Sequence, residues 1–425
     1  MVFHLCVANR AGGADTPMPW WGYAMPNVGS FLQDPGFFAD PYATYDRWRT
    51  EAPVRWEPAL NAWSVTGHAA TSAALADPHL SSDRTEAYLA AFPLDAREAL
   101  CPFAQARSDM MLFVDPPKHT RLRGLVQKAF TPKMIEQLRP RVEQLVREFL
   151  APAEANGEFE LITGLAEPLP GVVIAELLGV PAADRPQFKR WALDFATAIS
   201  GGRTLDVALR AQTSLLAMTD YLRPIIAERR ERPADDLLSA LVAVEQQGEL
   251  LGETELVATC MLLLIAGSET TTNLIGNGML ALLRNPDQLA LLRTGPEGIR
   301  PAVEELLRYD SPIQASFRVA REATIIAGAP IRSGDMVVLV LGAANRDPAQ
   351  FPEPNRLDIG RGDRRHLSFA HGPHFCLGAA LARLEGHVAI TAILQTMPGL
   401  RLVSDQPDWR PLFAFRGLRT LPVTC

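Results

Sequence analysis

The chain has 425 residues, 48% hydrophobic and 21% charged, with a formal net charge of -7. That composition suits a globular protein with a large core, and the acidic balance excludes nucleic acid as a partner, which would call for a basic face. Five scattered cysteines (Cys6, Cys101, Cys260, Cys376 and Cys425) lack the short spacing of a zinc site or disulfide framework and fit a reducing compartment.

Residues 1–30, rich in Gly, Pro and Asn, read as an irregular lead-in without the basic start and apolar core of a secretory leader. No later run approaches the roughly 18 apolar residues of a membrane span, so a cytoplasmic protein without an anchor is expected. A helix is predicted over 41–51, a small hairpin from Val54-Arg55-Trp56 and Ala62-Trp63-Ser64-Val65, and a short helix from His68 to Leu75. Leu80 to Met111 has weak periodicity and reads as a long loop. Asp115 is a candidate N-cap with proline behind it, and His119 and Arg123, four apart, share one helical face. Two cationic donors there suit a pair of carboxylates; alone, the motif reads rather as a solvated basic face.

Thr131-Pro132 restarts a helix to about Leu150. Further helices follow to Arg232, with breaks near Gly157, Pro168 to Gly171, Pro181 and Gly201-Gly202. From Glu253 to Arg284 the pattern is helical for about thirty residues, a rod of roughly 45 Å. Inside it, Ala266-Gly267-Ser268-Glu269-Thr270-Thr271 breaks the rules of a buried helix, since glycine costs about 1 kcal/mol and hydroxyls compete for backbone carbonyls. Such a local violation points to function or to a packed kink. Glu305-Leu306-Leu307-Arg308 sets opposite charges three apart, with Val303, Leu306 and Leu307 as apolar company. Strands are predicted at Ala323 to Ile326 and Met336 to Val340, with turns at Gly328 and Ser333-Gly334, and the chain end is strand-like.

The segment Phe369-Ala370-His371-Gly372-Pro373-His374-Phe375-Cys376-Leu377-Gly378 sets one cysteine among residues that rule out regular structure, immediately before a helix-forming run. Gly372 and Gly378 can bring amide N–H groups to the sulfur, and the helix start adds partial positive charge. This is a setting for a soft anionic metal ligand, although Cys376 alone reads equally as a small buried hydrophobe.

Phe-x-x-Gly-x-His-x-Cys-x-Gly resembles the haem-ligand loop of the cytochrome P450 family, soluble bacterial type, with Ala370 where the family usually has glycine. Ala266 to Thr271 resembles the oxygen-activation motif of the family's long central helix. Glu305-x-x-Arg308, with Arg361, resembles the network that locks the loop leading to the haem. These motifs stand in family order between Asp115 and Gly378. The resemblance implies a single domain over 1–425, mainly α with a smaller β-rich part, built as a triangular helical prism around a long distal helix and a haem-thiolate loop.

It further implies haem b bound through Cys376 as the metal ligand, within a loop bounded by Phe369 and Gly378. His119, Arg123, Arg318 and His374 would bind the propionates, and Ala266 and Gly267 would leave room above the iron. Thr270 would hold activated oxygen by a hydrogen bond, and Glu269 would link a proton relay to solvent. The expected activity is that of a monooxygenase using O2 and electrons from NAD(P)H, through a separate ferredoxin and ferredoxin reductase docking near Arg121, Arg364 and Arg365. A monomer is expected. A mobile lid would fall at about Trp191 to Leu216. Candidate pocket residues Met110, Met111, Leu112, Ile313, Phe317, Phe413 and Phe415 offer no charged anchor, which favours a lipophilic substrate such as a polyketide, terpenoid or steroid. A peroxide-driven peroxygenase would lack the acid and threonine, and a non-catalytic haem-binding helper or sensor would lack the cysteine or that pair; Cys376, Glu269 and Thr270 are all present.

Overall fold

The computed structural model describes residues 31–199, 204–246 and 251–424. The lead-in, the glycine pair at 201–202 and the middle of the expected lid lie outside them. Helices carry most of the fold, and the longest, Glu253–Arg284, has the limits its pattern predicts. Its start is secured by the Gly252 N–H, which donates to Glu255 at 3.0 Å. Asn285-Pro286 ends it because proline suits only the first turn of the next helix. At 32 residues it spans roughly 48 Å, and it is buried along both its N-terminal and C-terminal parts. Helices Pro168–Leu177 and Ala379–Thr396 pack directly against it.

A five-stranded sheet flanks the helices, in the spatial order Val54–Glu57, Ala62–Val65, Met336–Leu339, Ser316–Ala320 and Leu80–Ser81. The predicted hairpin is antiparallel with Trp56 opposite Trp63. Arg318 sits opposite Val337 on an interior strand, which holds its backbone rigidly. Thr324–Ile326 and Ala329–Ile331 form a ribbon around Gly328 (φ +88°). The C-terminal strand Pro422–Thr424 lies between Glu158–Glu160 and Arg401–Leu402.

Three expectations change. The stretch after Leu80 is not a loop but short helices Thr85–Leu89, Leu94–Ala99 and Cys101–Asp109, each too brief to show a clear period. Asp115 caps no helix: its carboxylate holds Ser81, Ser82 and Arg321, and the helix begins at Lys118. Pro168 to Gly171 does not break the chain, because Pro168 and Pro170 fall in the first turn of Pro168–Leu177, where no intrahelical N–H is required. No helix among the described residues is long and apolar enough to cross a membrane.

Candidate functional site

Cys376 follows the turn Gly372–His374 and precedes the helix Ala379–Thr396. Its N–H donates to the Phe369 carbonyl at 2.9 Å, closing the loop. Ala370, in the place of the family's glycine, takes φ +58°, a left-handed conformation that costs a residue with a β-carbon roughly 1 kcal/mol. Gly372 is required for a different reason from the expected one. A β-carbon there would lie 3.0 Å from the Ala76 Cα, so the loop can touch the helix His68–Ala76 only through glycine. Burial pushes the Cys376 thiol up, while the Gly378 and Ala379 N–H groups and the charges of Arg123 and Arg383 pull it back toward thiolate.

Beside the loop lies a group of cationic donors with no acid of its own. His119 is 2% exposed, its Nε2 has no hydrogen-bond partner, and its ring centroid lies 4.1 Å from that of His374. Burial, together with repulsion from His119 and Arg318, pushes His374 down to about 3. Arg318 is buried, and its Nη1 donates only to Ser316 Oγ at 3.0 Å and Phe317 O at 2.9 Å. Burial brings its guanidinium down to about 10. Arg123 lies one helical turn from His119 and makes no ion pair among the described residues. Nearby Asp115 is engaged elsewhere, as described. Two carboxylates supplied from outside would satisfy this set, as haem propionates do.

The long helix changes character at one place. Residues 255–265 and 271–282 are buried, whereas Ala266 is exposed and 267–270 are partly so. A window of this kind in the middle of a buried helix opens onto an internal space. Thr270 Oγ1 donates to the Ala266 carbonyl at 2.8 Å, and Glu269 faces Arg410 at 3.6 Å. Burial raises the Glu269 carboxyl, and Arg410 offsets that only in part. A β-carbon on Gly267 would meet Ile174 at an ordinary 3.7 Å, so crowding from that helix does not demand glycine there. Just past the window the helix after Cys376 crosses: Gly386 is tight against Leu274, and Glu385, beside Thr271, is pushed up to about 8 by burial.

The Glu305–Arg308 pair is buried and bidentate, at 2.7 and 2.8 Å. Arg361 Nε lies 3.2 Å from both Glu305 oxygens, so the three side chains meet as the sequence motif suggests. Arg308 also donates to the carbonyls of Asn345 and Pro354, each at 2.9 Å. The adjacent Glu304 makes a second network unseen in the sequence. It receives Arg383 Nε and Nη2 at 2.6 and 2.8 Å, and His366 Nε2 lies at 3.1 Å. Arg383 in turn lies over the Phe369 ring, 4.4 Å from its centroid.

Burial opposes charge on Glu304, but Arg383 and His366 outweigh it and hold its pKa at about 2. Its contribution, on the order of 3 kcal/mol, is present above the ordinary carboxylate range and is lost as pH falls toward about 2. Stability of the holoprotein, followed by chemical denaturation at a series of pH values, should decline through that window. Glu304→Gln should flatten the decline, and an unchanged slope in the variant would contradict the assignment.

The pocket candidates are only partly brought together. Ile313 and Phe415 pair across an isolated bridge, and Phe317 is partly buried beside Arg84. Met110 and Met111 lie at 1% and 7% exposure in the principal apolar cluster, and Leu112 points outward. Phe413 does not stand free in a pocket: its ring packs on Phe31 and Phe37, in the apolar cluster that Phe317 also borders. Of the expected docking arginines, Arg121 is paired with Glu255 and Arg365 with Asp363, whereas Arg364 is exposed.

A thiol supported by backbone N–H groups, a cationic set lacking anions and a distal acid–threonine window together fit a haem. The comparisons agree. The profile of the family described as Cytochrome P450 matches residues 210–294 and 299–398. Cytochrome P450 monooxygenase PikC of Streptomyces venezuelae is 42% identical over 406 residues, covering 93% of each chain. The 6-deoxyerythronolide B hydroxylase of Saccharopolyspora erythraea is 40% identical over 408 residues, covering 92% of this chain and 98% of that one. The crystal structure of P450BioI in complex with hexadec-9Z-enoic acid ligated acyl carrier protein superposes with a TM-score of 0.85 at 39% identity, covering 92% of this chain and 99% of that chain. The chain therefore belongs to the cytochrome P450 family, as a monooxygenase whose cofactor is haem b.

Proposed function

We propose that the protein inserts one oxygen atom from O2 into a lipophilic small molecule, by hydroxylation or epoxidation, in the tailoring of a secondary metabolite. The observation that carries this reading is the window of residues 266–270, where a buried helix exposes an acid and a threonine toward internal space. The haem, when bound, supplies oxygen activation, which its thiolate ligand favours. Cys376 would be that ligand, and His119, Arg123, Arg318 and His374 would hold the propionates. Glu269 exchanges protons between solvent and the Thr270 hydroxyl, and Arg410 orients its carboxylate. Electrons come from NAD(P)H through separate redox partners, a ferredoxin and its reductase. The network of Glu305, Arg308 and Arg361 keeps the approach to the cysteine loop in one geometry.

The names of relatives indicate where to search for the substrate: 6-deoxyerythronolide B for one hydroxylase, vitamin D3 for another, and a carrier-bound acyl chain for P450BioI. Partly buried Phe317, Ile313 and Phe415 suit an apolar body of that kind. Reconstitution with ferredoxin, ferredoxin reductase and NADH should oxidise at least one member of a panel of macrolides, steroids, terpenoids and fatty acyl carriers. In that assay Glu269→Gln and Thr270→Ala should each lower product formation by roughly 10²-fold, with NADH consumption falling far less. Wild-type coupling of NADH to product in both variants would sink the relay.

A further inference from the structure

Two arginines remain that neither the haem-binding set nor the redox chemistry uses, Arg107 buried and Arg84 partly so. Arg107, on the helix Cys101–Asp109, is 3% exposed, its Nε is buried without a partner, and its guanidinium makes no hydrogen bond among the described residues. It is held between rings instead, 4.0 Å from the centroid of Phe113 and 4.7 Å from that of Tyr88. Arg84 lies over the other side of the same region, 5.3 Å from Phe113 and 5.9 Å from Phe317, and donates to the Phe317 carbonyl at 2.5 Å. Aromatic faces offset part of the cost of burying a cation, but they leave the Arg107 guanidinium without a hydrogen-bond acceptor among the described residues.

The nearby acids are committed elsewhere: Asp109 to Lys118, and Asp115 to Arg321, Ser81 and Ser82. Asp83 is exposed and acts only at a distance. Nor does Arg107 belong to the propionate set. Arg84 and Arg318 donate to the same Phe317 carbonyl, at 2.5 and 2.9 Å, and Arg107 stands one step further out, sharing the Phe113 ring with Arg84. Continuing away from Arg318, Phe103, whose ring also lies under Arg107, meets Phe195 of the helix Arg185–Ile199 at 5.2 Å. The helix carrying Arg107 packs on both the long distal helix and Leu205–Glu231. Arg107 is therefore placed between the haem-binding residues and the two helices over which the lid was expected, on the side where a substrate would lie.

We propose that Arg107, backed by Arg84, receives the carboxylate of the substrate, so that the lipophilic molecule oxidised here is a free acid. This rests on the monooxygenase reading above and narrows its substrate class. It also supplies the charged anchor that the apolar pocket candidates lacked. Guanidinium matches carboxylate as a planar fork, and the aromatic walls suit a small singly charged group on an apolar body better than a phosphate dianion. An acyl chain held on a carrier as a thioester has no free carboxylate and would not use this site.

The test is an optical titration of the ferric holoenzyme with paired ligands: long-chain fatty acids and polycyclic terpenoid acids, each against its primary amide, following the low-spin to high-spin shift. The acids should bind at least tenfold more tightly than their amides. Arg107→Gln should abolish that preference and Arg107→Lys should keep part of it, with haem content and the thiolate spectrum of the carbon monoxide complex unchanged in both. The acid–amide comparison on wild-type protein stands even if a variant fails to fold. Equal binding of acid and amide, or a shift only with neutral compounds, overturns the anion site and leaves the lipophilic-substrate reading intact. Acid preference that survives Arg107→Gln while haem content falls would overturn it too, assigning the arginine to a propionate. A thiolate-haem protein that responds to no member of the panel refutes both.

Discussion

Cys376→Ser is expected to leave a folded chain with no monooxygenase activity. The fold of the loop does not depend on the sulfur, since the Cys376 backbone N–H keeps its bond to Phe369 whatever the side chain. What is lost is charge. Gly378, Ala379, Arg123 and Arg383 are arranged to favour an anion at this atom against the penalty of burial, and a serine hydroxyl, far more basic than a thiol, stays neutral there. A neutral oxygen ligand does not push electron density to the iron as a thiolate does. The carbon monoxide complex of the reduced variant should therefore lose the red-shifted thiolate absorption band, and product formation should fall to background. Haem should remain associated through His119, Arg123, Arg318 and His374. A variant that kept both the band and turnover would remove Cys376 from the role of iron ligand.

Arg308→Met should have the largest effect on stability. The side chain is 1% exposed and ties Glu305 to the carbonyls of Asn345, Pro354 and Arg356, three points on the segment that leads to the cysteine loop. Removing it leaves Glu305 buried with only Arg361 and the Asp358 N–H as partners. Breaking a buried pair on one side costs roughly 3–5 kcal/mol, a large share of the roughly 5–15 kcal/mol by which a folded protein is stable. Lysine should not rescue the fold, because a point charge cannot reproduce the two parallel bonds to Glu305 or the fork onto the carbonyls. The exposed pair Glu353–Arg356, also three apart, is the control: Arg356→Met should change stability by about 1 kcal/mol or less. Denaturation midpoints and haem retention would decide, and equal effects of the two substitutions would show that the buried network does not lock the loop.

Those two pairs also show why the sequence was legible in one place and not another. Glu-x-x-Arg spacing reads the same at Glu305–Arg308 and Glu353–Arg356, and only the apolar company of Val303, Leu306 and Leu307 distinguished the first. Similarly, the acid and hydroxyls inside Glu253–Arg284 marked the distal window because helix rules are local, set by neighbours three and four residues away. The limits of that helix, the hairpin around Asn61 and the turns at Gly328 and Gly334 were readable for the same reason.

The sequence by itself determined the periodic elements and the motifs whose parts are close along the chain: the cysteine loop, His119 with Arg123, and Glu269 with Thr270. Only the tertiary structure decided which distant groups complete them. It brought Arg410 to Glu269, Glu304 to Arg383 and His366, and His119 to His374. It took Asp115 from a helix cap to the edge of the sheet, and Phe413 from the expected pocket to an aromatic cluster with Phe31 and Phe37. It also left Arg107 buried without an acid. The physical reason is that hydrogen bonding along a helix or turn is a property of adjacent residues, whereas burial and charge pairing depend on which surfaces the whole chain packs together.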